Sequence, residues 1–320
     1  MDKITAGAFN ENILKKILKK YWLCKEDINY IGGFQNYIYE YKKDSNYILR
    51  ISHSSRRTFE QIKAEVEWIN YLAENEVSVS YAIPSAKNNL VEVIEAENSY
   101  FCAVSFIKAE GGPPEKKDWN NKLFYNVGKL VGRMHILTKE YNPSNSSYTR
   151  PNAFEEMNKI GDNYLDKDDE MLVSKYNQIL KYPEKFNKDE ECYGLIHCDI
   201  HQGNYFVKNG KITLFDFDDC GYSWFVEDIA MCLFYAVFPG GLDRKTEEKA
   251  SEFYYNFMEG YITENIIEDK WLKEMPYFFK QRELFLYIVL MASNYNAEAF
   301  MKDRRYKIKN NIPYINIDYV

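Results

Sequence analysis

The tightest constraint on this chain is a two-residue turn, Asn209-Gly210, set between two short β-prone runs, NYFV and KITLFD. Both residues tolerate positive φ, so the pair is a strong hairpin signal. A hairpin returns the chain that leaves its second strand to the chain that enters its first. Here both flanks are polar. His197, Asp199, His201 and Asn204 precede the ribbon, and Asp216, Asp218 and Asp219 follow it. The spacing H-x-D-x-x-x-x-N, then Asp twelve residues on, predicts that Asp199, Asn204 and Asp216 converge.

Two hard oxygen donors, Asn204 and Asp216, beside a separate carboxylate suit Mg²⁺ carrying phosphate, because magnesium takes few protein ligands and keeps water and phosphate oxygens in its other positions. A nearby carboxylate, Asp199, can accept a proton from an attacking hydroxyl. Two other readings stay open at this level. His197 and His201 at i, i+4 would make a zinc pair on a helix, but a loop before a strand does not hold that geometry, and no third histidine or CxxC completes the set. The blander alternative is a polar turn whose Asp and Asn satisfy only backbone groups.

Composition narrows the class. The chain has 320 residues, 46% of them hydrophobic, enough for a substantial core. A net charge of −7 speaks against nucleic-acid binding and leans toward a cationic small ligand. The six cysteines form no CxxC pair, which points to a reducing compartment rather than a disulfide framework. The first twenty residues lack a signal-peptide core, and the longest apolar run, 229–238, is too short to span a bilayer. The expectation is a cytoplasmic protein with no membrane and no nucleic-acid partner.

Along the chain, 9–22 carries helical spacing. INYIGG, YIYEYKK and YILRIS then read as strands, and 59–74 switches to a helical stripe of Phe59, Ile62, Val66, Ile69, Leu72 and Ala73. NNLVEVIEA and NSYFCAVSFI read as two further strands, and KAEGGPPEKKD at 108–118 as a boundary. Helix dominates beyond it, with a stripe over Leu123–Leu137 and apolar candidates at 225–238 and 277–294.

HCDIHQGN followed by LFDFDD and then EDIA at 227–230 resembles the catalytic-loop and metal-binding motifs of the aminoglycoside phosphotransferase / choline kinase-like family, within the protein-kinase-like superfamily. The match is specific over 195–230 and looser over 28–110. The resemblance implies an α+β, bilobal kinase-like fold, with a five-stranded antiparallel sheet and one helix in an amino-terminal nucleotide-binding lobe (1–107). A mainly helical catalytic and acceptor-binding lobe (108–320) follows. It implies ATP and Mg²⁺ as cofactors, Asp199 as catalytic base, Asn204 and Asp216 as metal ligands, Asp228 as a brace of the loop and His197 as scaffold. The implied activity is transfer of the ATP γ-phosphoryl group to a hydroxyl of a small molecule such as an aminoglycoside, amino alcohol, homoserine or sugar.

The front half supplies matching parts. IGGFQNYIY offers Gly32 and Gly33 as a turn over phosphates, although it is no GxGxxG and is equally an ordinary hairpin turn. Arg50 in YILRIS stands where protein kinases carry Lys, and its bland alternative is an outward-facing strand arginine. With Ile62 set at zero and about 100° per residue, Glu65 lies about 60° from the stripe's centre, while Glu60 and Glu67 fall on the far side. Glu65 is thus the acid placed to meet Arg50. Ser105 and Ile107 occupy the place of a hinge whose amides would bind adenine. His135 reads as structural, the aromatic run SEFYYNFMEGY as core, and His53 as solvated; His201 is left open, with the substrate side as one reading, and Asp218 and Asp219 could extend metal binding, contact a cationic acceptor or hydrogen-bond the loop. Two rivals to a small-molecule kinase stand. One is a protein Ser/Thr kinase, disfavoured because only about twelve residues separate Asp216 from Asp228. The other is a nucleotide-binding pseudoenzyme or spore-coat-like structural protein.

Overall fold

The computed structural model describes residues 8–33, 35–238, 244–293 and 297–318. The chain forms two compact units. The first comprises residues 1–112 with 141–150 and 213–218; the second comprises 113–140, 151–212 and 219–320.

In the first unit, α1 (Glu11–Lys20) begins where the Asn10 side chain accepts the N–H groups of Asn12 and Ile13. An antiparallel sheet follows, built from β1 (Ile28–Gly32), β2 (Tyr37–Lys42), β3 (Asn46–His53), β5 (Glu92–Ala96) and β6 (Ser99–Ile107). These are the five strands expected. A two-residue sixth strand, β4 (Ala82–Ile83), adds to β6 through Ala82 and Ile83; so short an element carries no periodicity by which a sequence could announce it. One face of the sheet buries Ile13, Leu14, Ile17 and Leu18 of α1 against Tyr39, Leu49, Ile51 and Phe101. The helix α2 runs over Phe59–Glu74, opened by a capping box of Thr58 and Gln61. It buries Ile62, Val66, Ile69 and Leu72 of the stripe read from the sequence, with Phe59 and Ala73 half-buried at its ends.

Two later segments join this unit. The carboxylate of Glu67 accepts from Tyr141 Oη, Ser144 N and Ser144 Oγ, tying in the stretch 141–150. The run Thr213–Asp218 is stitched on by Ser80 N to Leu214 O (2.8 Å) and Leu214 N to Ser78 O (3.0 Å), a short parallel bridge at Val79.

The second unit is mainly helical: α3 (Asn121–Glu140), α4 (Ala153–Tyr164), α5 (Glu170–Lys181), α6 (Phe225–Val237), α7 (Arg244–Tyr261), α8 (Asp269–Leu272), α9 (Met275–Ala292) and α10 (Glu298–Asn310). Strands β7 (Tyr193–Ile196) and β10 (Gly221–Trp224) pair antiparallel. The hairpin predicted at Asn209-Gly210 is formed by β8 (Tyr205–Lys208) and β9 (Lys211–Leu214), with φ of 53° and 78° at its turn. Phe253, Tyr254, Phe257 and Tyr261 of α7 are core, as the aromatic run implied, while Tyr255 faces solvent. Helices α3 and α7 meet backbone to backbone. A Cβ at Gly128 would fall on the Phe257 carbonyl, and one at Gly260 on the Tyr125 carbonyl. Gly128→Ala is therefore expected to cost about 3 kcal/mol in urea unfolding, since overpacking against main chain cannot relax by rotamer change. Leaving the midpoint unchanged would show that the helices separate freely.

Candidate functional site

The candidate residues divide between the units. In the first, Arg50 on β3 and Glu65 on α2 form a fork-to-fork pair, Nη1 to Oε1 and Nη2 to Oε2, both 2.7 Å. Arg50 is 5% exposed and Glu65 is fully buried, so the pair is desolvated, with the guanidinium also lying over the Phe106 ring. Gly32 and Gly33 close β1 with φ of 116° and 129°, and a Cβ on Gly33 would strike the Asn36 carbonyl. Only glycine fits that second position.

Ser105 and Ile107 lie inside the sheet. Ser105 pairs with Leu49 on one side and Ile83 on the other. The Ile107 N–H donates to Tyr81 O at 3.0 Å, and the next amide, Lys108, donates to Asn46 O. Of the hinge amides left open by the sequence, that of Ile107 is already taken within the first unit, by the turn before the unforeseen strand β4. His53, expected in solvent, is 4% exposed, with Nδ1 on Ser55 and its ring against Phe101. The chain turns back after β3 and folds the imidazole inward.

Asp216 follows β9 with φ of 63°, a left-handed conformation that Asp adopts more readily than most residues but still at a cost. The turn after it is held by arginines that sequence reasoning passed over. Arg57 donates Nε and Nη2 to Asp218 O (3.1 and 2.9 Å), Arg150 donates Nη2 to the same oxygen (2.5 Å), and Arg56 reaches Asp218 Oδ2 through Nε and Nη2 (3.3 and 3.2 Å). Burial alone would raise the Asp218 carboxyl, but Arg56, Arg57, Arg50 and Arg150 together hold it well below the usual carboxylate range. Phe217 is buried edge-on against Trp68 of α2. The role left open for Asp218 is thus an anchor for the turn after Asp216.

In the second unit the loop 197–204 is organised by Asp228, in the first turn of α6. Its carboxylate accepts the backbone N–H of His197 (2.9 Å) and of Cys198 (2.8 Å), the latter bent to φ 66°. His135 Nε2 lies 3.3 Å from the same carboxylate and Nδ1 lies 2.9 Å from Tyr261 Oη, which in turn accepts from Asn265. These partners place the proton on Nε2. Burial, against the pull of Asp228, lowers the His135 pKa, so this ring is neutral and structural, as expected. His197 is buried and its Nδ1 accepts the Asp199 N–H.

Asp199 and Asn204 are brought together, with Asn204 Nδ2 donating to Asp199 O (2.9 Å) and Oδ2 (3.1 Å). That bonding fixes the amide's orientation and leaves Oδ1 as the atom Asn204 offers a cation. A carbonyl oxygen is a hard donor of the kind that a divalent cation of the magnesium or calcium class takes, and in the first unit the Asp216 carboxylate is another donor of that kind. His201 Nδ1 accepts from Gly203 N, so its proton sits on Nε2, 3.3 Å from Asp199 Oδ2. The residue missed from sequence is Arg282 of α9, whose Nη2 lies 2.5 Å from Asp199 Oδ1. Burial would raise the Asp199 carboxyl, but Arg282, His201 and His197 hold it well below the usual range. Among the described residues no group of three His, Cys, Asp or Glu side chains is disposed to hold a metal. All six cysteines are free, and no described helix is long and apolar enough to cross a membrane.

Comparison with known proteins bears on these parts. A family model described as the phosphotransferase enzyme family matches residues 30–262. Amicoumacin kinase of Bacillus subtilis (strain 168) is 34% identical over 289 residues, 88% of this chain and 84% of that protein. The structure of amicoumacin kinase hAmiN in complex with AMP-PNP, Ca²⁺ and Ami superposes with a TM-score of 0.93 at 31% identity, over 100% of this chain and 99% of that one. A microcompartment-associated aminopropanol kinase (TM-score 0.72, 18% identity, 93% and 94% coverage) shares the fold. So does choline kinase from Cryptosporidium parvum Iowa II (0.62, 15%, 94% and 96%).

Two outcomes follow from the buried charges. Glu65→Ala strands Arg50 without its carboxylate and is expected to cost roughly 3–5 kcal/mol in denaturant unfolding; a loss under about 1 kcal/mol would mean that water reaches the guanidinium. Glu227, beside Asp228, accepts from Gln281 (3.1 Å) and Ser223. Burial outweighs these bonds and pushes its carboxyl up to about 7. Between the ordinary carboxylate pKa and about 7 the folded chain holds a proton that the unfolded chain has lost, so stability falls as pH rises through that window. Glu227→Gln should remove this slope, a difference on the order of 3 kcal/mol between pH 5 and pH 8. Parallel slopes for the two proteins would place the ionised form in the fold at low cost.

Proposed function

This chain belongs to the phosphotransferase enzyme family and is an ATP-dependent small-molecule kinase that uses a divalent cation; from that premise we propose that its acceptor is a hydroxyl of amicoumacin or a close analogue and its cation Mg²⁺. The observation that carries this reading is 34% identity to amicoumacin kinase over 88% of the chain, with a TM-score of 0.93 over its full length to the amicoumacin-bound relative.

Asp199 receives the acceptor hydroxyl. Held well below the usual carboxylate range by Arg282, His201 and His197 against the opposing effect of burial, it is too weak a base to deprotonate a free alcohol. Its work is to orient the hydroxyl oxygen toward the γ-phosphorus and to take the proton as the new O–P bond forms and the bond to ADP breaks. The hydroxyl becomes acidic only at that moment, which suits a loose transition state. Asn204, through Oδ1, and Asp216 are the residues that would hold the cation, and the chemistry it would supply is neutralisation of charge on the phosphate oxygens. Arg50, kept in place by Glu65, supplies a fixed cation for the nucleotide phosphates, and Gly32 and Gly33 admit a close approach of main chain to them. Asp216 and Asp228 stand only twelve positions apart, which favours a small acceptor over a peptide.

The test is phosphate transfer from Mg²⁺-ATP to amicoumacin, run beside a panel of aminoglycosides, amino alcohols, sugars and homoserine. Wild-type protein should phosphorylate amicoumacin above every panel member. Asp199→Asn should lose about 10²–10⁴-fold in kcat while still binding nucleotide. Equal turnover by Asp199→Asn would remove the base assignment, and preference for another panel member would remove the acceptor.

A further inference from the structure

The guanidinium beside Asp199 is built into the site rather than draped over it. Arg282 donates Nε (3.0 Å) and Nη2 (2.5 Å) to Tyr235 Oη, and Nη2 also to Asp199 Oδ1 (2.5 Å). Its plane is held between two rings, with Tyr235 at 5.1 Å and Phe285 at 5.2 Å. His201 completes the surround, its ring 4.9 Å from that of Tyr235 and its Nε2 at Asp199 Oδ2. Three of the five guanidinium N–H positions point along these bonds. Among the described residues, the Nη1 amino group has no hydrogen-bond partner, and the side chain keeps 15% of its surface open. Asp219 and Glu227 are further carboxylates in its electrostatic surroundings.

An acceptor hydroxyl bonded to Asp199 must lie beside this cation. The carbon next to the reacting C–O bond then faces a fixed guanidinium edge with two donors and no acceptor. We propose that Arg282 is a specificity-determining residue, binding through Nη1 an oxygen (carbonyl, carboxylate or hydroxyl) carried on the carbon adjacent to the reacting hydroxyl. An ammonium at that carbon is refused. Like charges placed together in a desolvated site are costly, and a donor edge with no acceptor to meet is left unsatisfied. The acidic overall charge of the chain, which leaned toward a cationic acceptor, is locally reversed. A cationic group is excluded only from the position next to the reacting hydroxyl. The inference rests on Asp199 as the residue that receives the acceptor.

Lactamide and 1-amino-2-propanol test it, because they carry an amide carbonyl or an ammonium beside the same secondary hydroxyl. Each is measured as a substrate with Mg²⁺-ATP and as a competitor of amicoumacin phosphorylation, for wild type, Arg282→Gln, Arg282→Lys and Asp199→Asn. Wild type should favour lactamide at least tenfold, in kcat/KM or in inhibition constant. Arg282→Gln should abolish or invert that ratio while the KM for ATP stays within twofold. Arg282→Lys should keep the discrimination against the ammonium but lose affinity for the carbonyl. An unchanged ratio in Arg282→Gln, whatever the fall in kcat, would make the arginine a strut for Asp199 alone and overturn the proposal; so would equal affinity of wild type for both compounds. Full activity of Asp199→Asn would instead count against the base assignment and is read separately from the ratio.

Discussion

The loop 197–204 depends on one carboxylate. Asp228 accepts two consecutive backbone N–H groups, from His197 and Cys198, and so makes affordable a left-handed turn at Cys198 that a non-glycine residue avoids elsewhere. Asp228 is itself fully buried, which would be costly for an ion with no partners. Its partners are the two amides and His135, whose tautomer is set in turn by Tyr261 and Asn265. The chain of bonds runs from α7 through α3 to α6 and ends on main chain. Groups buried behind the loop therefore set where Asp199 stands, as outer partners do in other sites.

The first unit solves the same problem with the charges reversed. The turn after Asp216 has a carbonyl, Asp218 O, on which two arginines converge, and a carboxylate that a third contacts. Arg56, Arg57, Arg150 and Arg50 face Glu65 and Asp218, so fixed positive charge gathers where a negatively charged ligand would be at home. A carbonyl accepting from two arginines has little freedom to swing, and Phe217 is wedged on Trp68. Asp216 is thereby presented from a rigid turn.

Much of this was legible in the residues themselves. The five longer strands, α2 with its stripe, and the Asn209-Gly210 ribbon carry local signals strong enough to survive tertiary context. Glu65 was legible for a subtler reason. Helical angle alone put it at the edge of an apolar face, and a charge in that position needs a partner. What stayed hidden depends on contacts far apart in the chain. Arg57 and Arg150 reach Asp218 across 161 and 68 residues, and no spacing rule encodes that. The two-residue β4 offered no period to read, yet it is what closes the edge at Ser105 and helps bring Tyr81 to the Ile107 amide. His53 misled because the SHSSRR context is polar, while the fold turns the ring onto Phe101.

Arg282 is the instructive omission, because a signal was present. Helix α9 reads MPYFFKQRELFLYIVLMA, apolar nearly throughout, and interrupts itself after the exposed Lys280 with Gln281, Arg282 and Glu283. Three consecutive polar residues cannot all share one solvated face of a helix, since successive side chains are about 100° apart. At least one must point inward and find a partner. Here all three do: Gln281 reaches Glu227, Arg282 reaches Asp199 and Tyr235, and Glu283 reaches Arg304 at 3.0 Å. Gln281 and Glu283 pair within the protein core. Arg282 alone of the three meets a carboxylate proposed to bind substrate, with donors to spare. A run of polar residues inside an apolar helix is thus a pointer to buried partners, and the member whose partner is a functional carboxylate is the one that shapes what that carboxylate can receive.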